Sequence, residues 1–330
     1  MKAMGKRVLV TGAGGFIGSH LVERLVADGH EVRALVRYNG RDDLGQVDRL
    51  PAEIREAVEV HRGDLKDPEA VRKAIKGRER VYHLGALIAI PYSYQNPLDV
   101  VQTNAVGTCH VLDSARDSDS IERVVLTSTS EVYGTAQFVP ITEQHPLRGQ
   151  SPYAASKIAS DALGESYHRS FGLPVTTLRP FNTFGPRQSA RAIIPTIISQ
   201  ALALDRVKLG SLDPRRDLTY VKDTAAGFAA IAECDAAIGR VVNIGRGDDL
   251  TIGELVERIA RLIGKPIHVE ADPARIRPAA SEVGRLLAGT ALATELFGWS
   301  PKYTLDEGLA ETIGWVRANL NLFRTGEYTT

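Results

Sequence analysis

The sequence RVLV at residues 7–10 runs directly into TGAGGFIG at residues 11–18, and this stretch decides the fold. The short apolar run predicts a buried strand, and the pattern after the glycines predicts a helix. Gly12 permits a tight turn, Gly15 lets backbone N–H groups approach an anion, and Gly18 lets the helix pack closely on the strand. Because strand and helix continue to alternate afterwards, the turn predicts an α/β fold that binds the diphosphate of a dinucleotide.

Length and composition predict a globular chain with two lobes. The 330 residues exceed the size of about 250–300 residues at which single cores stop growing. Equal numbers of basic and acidic side chains, 40 of each, argue against a dedicated nucleic-acid or membrane-surface binder. No apolar run reaches the ~20 residues of a membrane span. The N-terminus lacks a signal-peptide pattern, and Cys109 and Cys234 have no metal-binding spacing, so we expect a cytoplasmic protein without a metal site.

Regular alternation of strand and helix extends to about residue 180 and then gives way to a mixed pattern. We therefore predict a Rossmann-type doubly wound parallel sheet formed by residues 1–180, to which a segment at about 217–250 returns. Residues 181–216 and 251–330 are expected to form a smaller mixed α/β substrate-binding lobe. After the first strand, the predicted strands of the sheet are 31–37, 58–61, 80–86, 124–128 and 174–180.

The end of the second strand lacks the acidic residue that binds the adenosine ribose in NAD enzymes. Val36 and Arg37 stand there instead. The missing carboxylate leaves room for a 2′-phosphate with Arg37 as its partner, so NADP stays open beside NAD; alternatively, Arg37 stacks on adenine or points to solvent. Asp64, after the third strand, either accepts a hydrogen bond from the adenine amine or caps the helix that starts near Pro68.

Tyr153 and Lys157 form the pattern that carries chemistry. If Ser151 caps a helix whose first residue is Pro152, both side chains project from one face of that helix. The ammonium would then favour the phenolate of a group whose ordinary pKa is ~10, which makes Tyr153 a base closer to neutral pH. The alternative is an amphipathic helix with a surface lysine. The segment STSEVYG at residues 128–134 favours the catalytic interpretation, because it follows a strand at the sheet edge where ligands bind.

Seven motifs in one order resemble the extended short-chain dehydrogenase/reductase family, specifically its NAD-dependent sugar-nucleotide epimerases and dehydratases. The resemblance implies a catalytic set of Thr129, Tyr153 and Lys157, a retained and recycled NAD, a nucleotide-sugar substrate, and a homodimer formed through paired helices that include the Tyr153 helix. Candidate apolar positions for that interface are Ile158, Ala162 and Leu163. The motifs are TGAGGFIGSHL (11–21), HLGA (83–86), STSEVYG (128–134), SPYAASK (151–157), RPFNTFGPRQ (179–188), RRDLTYVKD (215–223) and GWSP (298–301).

The resemblance also implies where the two ligands bind. Arginine side chains in the second half of the chain suit bidentate recognition of the substrate diphosphate. For each of them, the alternative is a solvated position on the surface. The expected substrate contacts are Asn182, Arg191, Arg216 and Arg277. The expected cofactor contacts are Gly12, Gly15, Phe16, Ile17, Gly18, Arg37, Asp64, Leu65, Leu84, Ala86, Asn104, Ser128, Tyr153, Lys157 and Pro180.

Four segments are most similar to the dehydratases that form 4-keto-6-deoxy sugars in legionaminic-acid-type pathways. These enzymes act on a nucleotide-linked N-acetylglucosamine, so the resemblance implies a 4,6-dehydratase acting on UDP- or GDP-N-acetylglucosamine. The segments are RALVRYN (33–39), GQSPYAASK (149–157), ARAIIP (190–195) and RPAASEVGRLL (277–287).

Glu131 separates dehydratase from epimerase within the family. Both oxidise the sugar at C4, but only a dehydratase needs a carboxylate to remove the C5 proton. Glu131 would supply it, two residues beyond Thr129 and on its side of a strand; the alternative is an ion pair with an arginine of the cleft. Ser130 stands where hexose dehydratases commonly have an aspartic acid, so we expect Glu131 also to protonate the departing O6. A 4-epimerase, a 5,6-ene product, a net oxidoreductase and a binding protein remain alternatives.

Overall fold

The computed structural model describes residues 5–276 and 281–325. Its centre is a parallel sheet of seven strands in the order β11-β6-β5-β4-β1-β2-β3, which confirms the predicted Rossmann-type architecture. The strands of this sheet are β1 (Arg7–Thr11), β2 (Glu31–Val36), β3 (Glu59–Arg62), β4 (Arg80–His83), β5 (Arg123–Thr127), β6 (Val175–Pro180) and β11 (Val241–Ile244).

Helices cover both faces of the sheet and build much of the smaller lobe. Short 3₁₀ turns lie between them, including Ser130–Tyr133. The helices are α1 (Phe16–Ala27), α2 (Ala52–Glu56), α3 (Pro68–Ile75), α4 (Ile90–Gln95), α5 (Pro97–Val101), α6 (Gly107–Arg116), α7 (Pro152–Phe171), α8 (Ile193–Ala203), α9 (Val221–Ala232), α10 (Ile252–Ile263), α11 (Ala291–Phe297) and α12 (Leu305–Ala318).

The smaller lobe combines short strands with three helices around its own core. Side chains of α8, α10 and α12 form this core, which includes Ile197, Leu255 and Leu309. We found no helix in residues 5–276 or 281–325 with the length and apolarity needed to cross a bilayer. The strands outside the main sheet are β7 (Asn182–Phe184), β8 (Arg206–Leu209), β9 (Arg215–Arg216), β10 (Leu218–Tyr220), β12 (Leu250–Thr251), β13 (His268–Ala271) and β14 (Arg285–Leu286).

Strand order reverses between β1 and β4, so the loops that follow these two strands open a crevice at the edge of the sheet. The glycine turn fills the base of this crevice. Gly12 has a φ of +69°, and a Cβ there would lie 2.7 Å from the backbone nitrogen of Gly85. A Cβ on Gly18 would lie 2.2 Å from the carbonyl oxygen of Gly12. The close approach of β1, α1 and the loop after β4 therefore requires glycine at both positions.

One predicted boundary was wrong, and one alternative for Asp64 is not seen. Helix α1 begins at Phe16, so the last part of the glycine motif already belongs to the helix. The carboxylate that caps α3 is that of Asp67, which accepts hydrogen bonds from the backbone N–H groups of Glu69 and Ala70. Asp64 does not cap this helix; its Oδ1 atom accepts a hydrogen bond from the backbone N–H of Lys66.

Candidate active site

A cavity of about 720 Å³ lies at the carboxyl ends of the central strands and extends toward the smaller lobe. Most of the predicted site residues line it, although they come from segments far apart in the chain. Lys157, Asn104 and Arg216 are not among the lining residues, and Arg277 lies outside the described residues. The predicted residues that line the cavity are Gly12, Gly15, Phe16, Ile17, Gly18, Arg37, Asp64, Leu65, Leu84, Ala86, Ser128, Thr129, Ser130, Glu131, Tyr153, Pro180, Asn182 and Arg191.

The N-terminus of α1 forms one end of the cavity and has the geometry of an anion site. Gly15 is the N-cap of this helix, and no side chain caps it. A Cβ on Gly15 would meet the carbonyl oxygen of Gly12 at 3.0 Å and no other heavy atom within 4 Å, so the space above the turn is open. Exposed N–H groups at a helix N-terminus attract phosphate. The residues present therefore fit the diphosphate of a dinucleotide.

Arg37 and Asp64 lie together at the rim of the cavity. The Nε atom of Arg37 is 3.5 Å from Oδ2 of Asp64, and the arginine side chain is 72% exposed. Asp43, on the loop after β2, also lines this part of the cavity. Two carboxylates therefore accompany the one arginine that was considered as a partner for a 2′-phosphate.

Helix α7 begins as the sequence predicts. Ser151 is its N-cap and accepts a hydrogen bond from the backbone N–H of Ala154, and Pro152 is the first helical residue. This start directs Tyr153 into the cavity.

The ionisation of Tyr153 differs from the expectation. Burial raises the pKa of Tyr153, a hydrogen bond with Thr129 opposes this rise, and the charge of Glu131 adds to it. The expected lowering by Lys157 is not seen. In this arrangement Tyr153 is therefore a neutral phenol at neutral pH.

Lys157 is buried on the same helix. Its exposed fraction is 4%. Burial lowers the pKa of Lys157 to about 8, and the negative charge of Asp161 opposes this effect. A lysine with this pKa is largely protonated at neutral pH and loses its charge in mildly alkaline solution.

Glu131 reaches the cavity from a turn, which corrects the prediction that it continues a strand. Strand β5 ends at Thr127, and Thr129 is the N-cap of the 3₁₀ turn Ser130–Tyr133. The Oγ1 atom of Thr129 accepts a hydrogen bond of 3.2 Å from the backbone N–H of Glu131. Among the described residues, the Glu131 carboxylate has no hydrogen-bond or ion-pair partner. The alternative in which it pairs with a cleft arginine is therefore not seen.

Asn104 supports the cavity wall and does not face the cavity. Its Nδ2 atom donates to the carbonyl oxygen of Leu87 and to Oγ of Ser156, both at 2.9 Å, and its Oδ1 atom accepts from the backbone N–H of Leu87 at 2.8 Å. These bonds join the loop after β4 to α7. The direct cofactor contact predicted for Asn104 does not agree with this placement.

The predicted substrate residues fall into two groups. Asn182 and Arg191 line the cavity, and within the described residues the buried Oδ1 atom of Asn182 has no hydrogen-bond partner. Arg216 is buried and donates to Glu282 and to the backbone of Arg215. Its side chain is therefore held within the smaller lobe in this structure.

Sequence reasoning missed the loop that follows β4. Residues 87–91, LIAIP, line the cavity, and Ile88 is 63% exposed there. An apolar segment directly after a strand end, at the edge where ligands bind, was the signal for this wall. The loop adds an apolar surface to the cavity, which otherwise contains glycines, hydroxyls and charged side chains.

Comparison with known proteins agrees with this geometry. The model of the GDP-mannose 4,6 dehydratase family matches residues 9–312. The chain belongs to this family. It is thus a member of the extended short-chain dehydrogenases/reductases, as the motifs indicate, and its relatives include both nucleotide-sugar epimerases and nucleotide-sugar 4,6-dehydratases.

Some similar members of the family are epimerases, and others are 4,6-dehydratases. A UDP-glucose 4-epimerase from Mycolicibacterium smegmatis is 34% identical over 94% of this chain and 98% of its own length. The structure of a UDP-N-acetylglucosamine 4-epimerase from Methanobrevibacter ruminantium is 31% identical, with a TM-score of 0.86 over 96% of this chain and 99% of that one. A dTDP-glucose 4,6-dehydratase from Streptomyces venezuelae, solved with NAD bound, is 30% identical, with a TM-score of 0.84 over 96% and 99% of the two chains.

Proposed function

We propose that this family member is a nucleotide-sugar 4,6-dehydratase, which converts its substrate to a 4-keto-6-deoxy sugar with loss of water. The observation that carries the proposal is the unpaired carboxylate of Glu131 in the cavity, next in the chain to Ser130 and close enough for its charge to affect the ionisation of Tyr153. A carboxylate in this position is needed to remove the C5 proton, and a 4-epimerase has no use for it.

Each side chain has a defined role in the proposed reaction. Tyr153 removes the proton from the sugar O4, and Thr129 holds the same oxygen by a hydrogen bond. Lys157 binds the nicotinamide ribose and stabilises the phenolate of Tyr153 as it forms. Glu131 then removes the C5 proton and delivers it to the departing O6, because Ser130 is a poor acid. The C6 hydroxyl leaves as water from the face that lost the proton. A proton exchangeable with solvent returns to C5 as hydride returns to C6, which balances the proton that Tyr153 took from O4.

The glycine turn and the end of α1 would hold NAD. Held there, NAD would supply the acceptor for the hydride of C4 and the donor that returns it, to C6 in a dehydratase or to C4 in an epimerase. We propose NAD over NADP because Asp64 already pairs with Arg37 and Asp43 lines the same cavity, and carboxylates there disfavour the binding of a 2′-phosphate. The dehydratase from Streptomyces venezuelae was solved with NAD.

The proposed substrate is UDP- or GDP-N-acetylglucosamine. Segments 33–39, 149–157 and 190–195 resemble the dehydratases that act on this sugar. Asn182 is the first candidate to bind the substrate, because it lines the cavity, where its Nδ2 group can donate to the diphosphate and its buried, unpaired Oδ1 atom can accept from a hydroxyl or N–H group. Arg191 lies at the same end and is exposed, so it would bind the diphosphate where the nucleotide enters.

A 4-epimerase is the second candidate. Epimerases are among the most similar relatives, and Ser130 replaces the acid that hexose dehydratases commonly carry. An epimerase with these residues would use Tyr153, Thr129 and Lys157 in the same way. Glu131 would then be a structural or binding residue. A 5,6-ene product requires the same C5 proton removal, with return of the hydride to C4.

We also propose a homodimer through α7. Of the three apolar positions considered, Ala162 is exposed, whereas Ile158 and Leu163 pack against buried clusters of the same chain. Ala162 is therefore the position at which a second copy would contact this helix.

The experiment that tests the function is mass spectrometry of the protein incubated in D₂O, without reductant, with UDP- and GDP-N-acetylglucosamine and dTDP-glucose. Loss of one water with deuterium at C5 supports the dehydratase and identifies the nucleotide. A product of unchanged mass with inverted C4 in the NMR spectrum contradicts it and supports the epimerase. Free reduced cofactor accumulating in step with product would contradict both.

A further inference from the structure

Asp161 lies one helical turn beyond Lys157 on α7 and is 6% exposed. Its Oδ2 atom accepts hydrogen bonds from Oγ of Ser128 at 2.7 Å and from Nη2 and Nε of Arg179 at 2.8 and 3.1 Å. Ser128 follows β5 directly, and Arg179 lies on β6. One buried carboxylate therefore joins the helix of Tyr153 and Lys157 to the strand end that leads to Thr129.

The network continues from Arg179 to the turn that carries Glu131. Nη1 of Arg179 donates to the hydroxyl of Tyr133 at 2.8 Å, and its guanidinium lies 5.0 Å from the centre of the Tyr133 ring. That hydroxyl in turn donates to Oδ1 of Asn243 at 2.7 Å. Tyr133 is the last residue of the turn Ser130–Tyr133. A continuous set of buried hydrogen bonds thus connects all three segments of the candidate active site.

We propose that Asp161 is the positioning residue of this active site: it is the buried counter-charge of Lys157, and it locks α7 to the Thr129 and Glu131 turn through Ser128 and Arg179. The Asp161 carboxylate is bound by Ser128 and Arg179 and does not line the cavity, so its role is to position the segments that carry the reacting groups. The inference rests on the proposed oxidation by Tyr153 and Lys157, a step that dehydratase and epimerase share.

The charges around Lys157 support this role. Burial lowers the pKa of Lys157 to about 8, and Asp161 is the group that opposes this lowering. His83 adds no positive charge beside Lys157, because burial lowers the pKa of His83 to about 3 and its imidazole stays neutral. The other titratable groups of this neighbourhood are Tyr153 on α7, Glu131 in the turn after β5, and Arg179 on β6, whose charge is paired with Asp161.

The test compares the wild-type protein with two variants, Asp161→Asn and the double variant Asp161→Asn with Arg179→Met. The double variant removes Asp161 together with its ion-pair partner, so the Arg179 guanidinium is not left buried and unpaired. The pKa of Lys157 is read directly by ¹³Cε NMR of protein with labelled lysine, with the resonance assigned by Lys157→Arg. We expect Asp161→Asn to lower this pKa by about 1 pH unit, and the double variant to lower it by less because a positive charge is removed as well.

Kinetics provide the second measurement. Reduction of the bound cofactor by substrate, followed by its absorbance in a single turnover, is measured against pH. The alkaline limb of the profile should move down in each variant by as much as the Lys157 pKa does, about 1 pH unit in Asp161→Asn and less in the double variant. An unchanged Lys157 pKa and an unchanged alkaline limb in a folded variant would overturn the inference, because a merely structural carboxylate would lower the rate equally at every pH.

Glu165→Gln is the matched control. Glu165 is an exposed acid on the same helix, paired with Arg169, and its loss removes the same charge without touching the network. We expect no change in the Lys157 pKa. The two proposals fail separately: absence of water loss with every substrate contradicts the dehydratase, whereas the NMR titration tests Asp161 without any turnover.

Discussion

The hydroxyl of Thr129 accepts a hydrogen bond of 3.2 Å from the backbone N–H of Glu131, and its interaction with Tyr153 opposes the rise in the pKa of that phenol. One side chain therefore interacts with both groups proposed to move protons. Tyr153 is proposed to act in C4 oxidation and Glu131 in C5 deprotonation. Substitutions of Thr129, Glu131 and Tyr153 should therefore have different consequences.

Replacing Glu131 by Gln should abolish water loss and leave the first oxidation at C4. General acid–base groups contribute about 10²–10⁴-fold, so elimination should fall by this factor while the bound cofactor is still reduced by substrate. Tyr153→Phe is the comparison and should lose both steps. Product mass and cofactor absorbance in a single turnover distinguish the two variants. Dehydration by Glu131→Gln at nearly the wild-type rate would remove Glu131 from the mechanism.

Replacing Thr129 by Val should impair both steps, because the valine methyl cannot hold O4 or cap the turn. We expect a loss of about 10²-fold in cofactor reduction. Thr129→Ser keeps the hydroxyl and should retain most of the activity. Equal rates for the Val and Ser variants would show that the hydroxyl is not used.

Replacing Asn182 by Ala should weaken substrate binding. It lines the cavity, and its Nδ2 group can donate a hydrogen bond to a diphosphate oxygen. A hydrogen bond to a charged group contributes about 1.5–3 kcal/mol, which corresponds to an increase of about 10–100-fold in Kd for the nucleotide diphosphate. Calorimetric titration with UDP and GDP measures this, and the retained cofactor serves as the control for folding. An unchanged Kd for both nucleotides would exclude the contact.

Placing a charge at Ala162 should dissociate the proposed dimer. Ala162→Arg buries a cation in the interface if the exposed face of α7 pairs with a second copy. Light scattering after size exclusion should then give the monomer mass. Leu204→Arg, a similar change at the exposed C-terminal end of α8, should leave the mass unchanged. A wild-type protein that already runs as a monomer would contradict the proposal.

Acid should destabilise the protein because it contains buried neutral histidines. His83 bonds to Thr11 and Thr108, and burial lowers the pKa values of His83 and His20 to about 3 from 6.5. The unfolded chain therefore takes up protons that the folded protein does not, so stability falls as the pH drops below 6.5, by about 2 kcal/mol per histidine at pH 5. Burial raises the pKa of Asp217 to about 6, which returns about 1 kcal/mol over the same range.

Urea unfolding at pH 7 and pH 5 measures this effect. His83→Gln should remove about 2 kcal/mol of the pH dependence, because glutamine does not titrate. If the variant loses stability between pH 7 and pH 5 as steeply as the wild-type protein, His83 is not responsible.

Features encoded by adjacent residues could be predicted from the sequence. Ser151 followed by Pro152 specifies the start of α7 by local capping, and the glycine turn specifies its own geometry by close packing. The cavity wall formed by residues 87–91 also follows a predicted strand. It was missed because it contains no polar side chain that would indicate a binding site.

Features that depend on distant partners could not be predicted. Glu131 lies in a turn rather than on a strand, because Thr129 caps that turn and Asn243, 110 residues beyond Tyr133, holds its end. Asn104 turns away from the cavity because Leu87 and Ser156 satisfy its amide. No local spacing encodes these partners.

The late position of β11 in the chain has a consequence for synthesis on the ribosome. Six of the seven strands, together with Thr129 and Lys157, emerge before Val241–Ile244. Until β11 arrives, β6 is an open sheet edge that can pair with other chains, and Tyr133 lacks Asn243. A product truncated before β11 would thus contain the catalytic candidates and still be prone to aggregate, so the sheet is complete only after Val241–Ile244 has been synthesised.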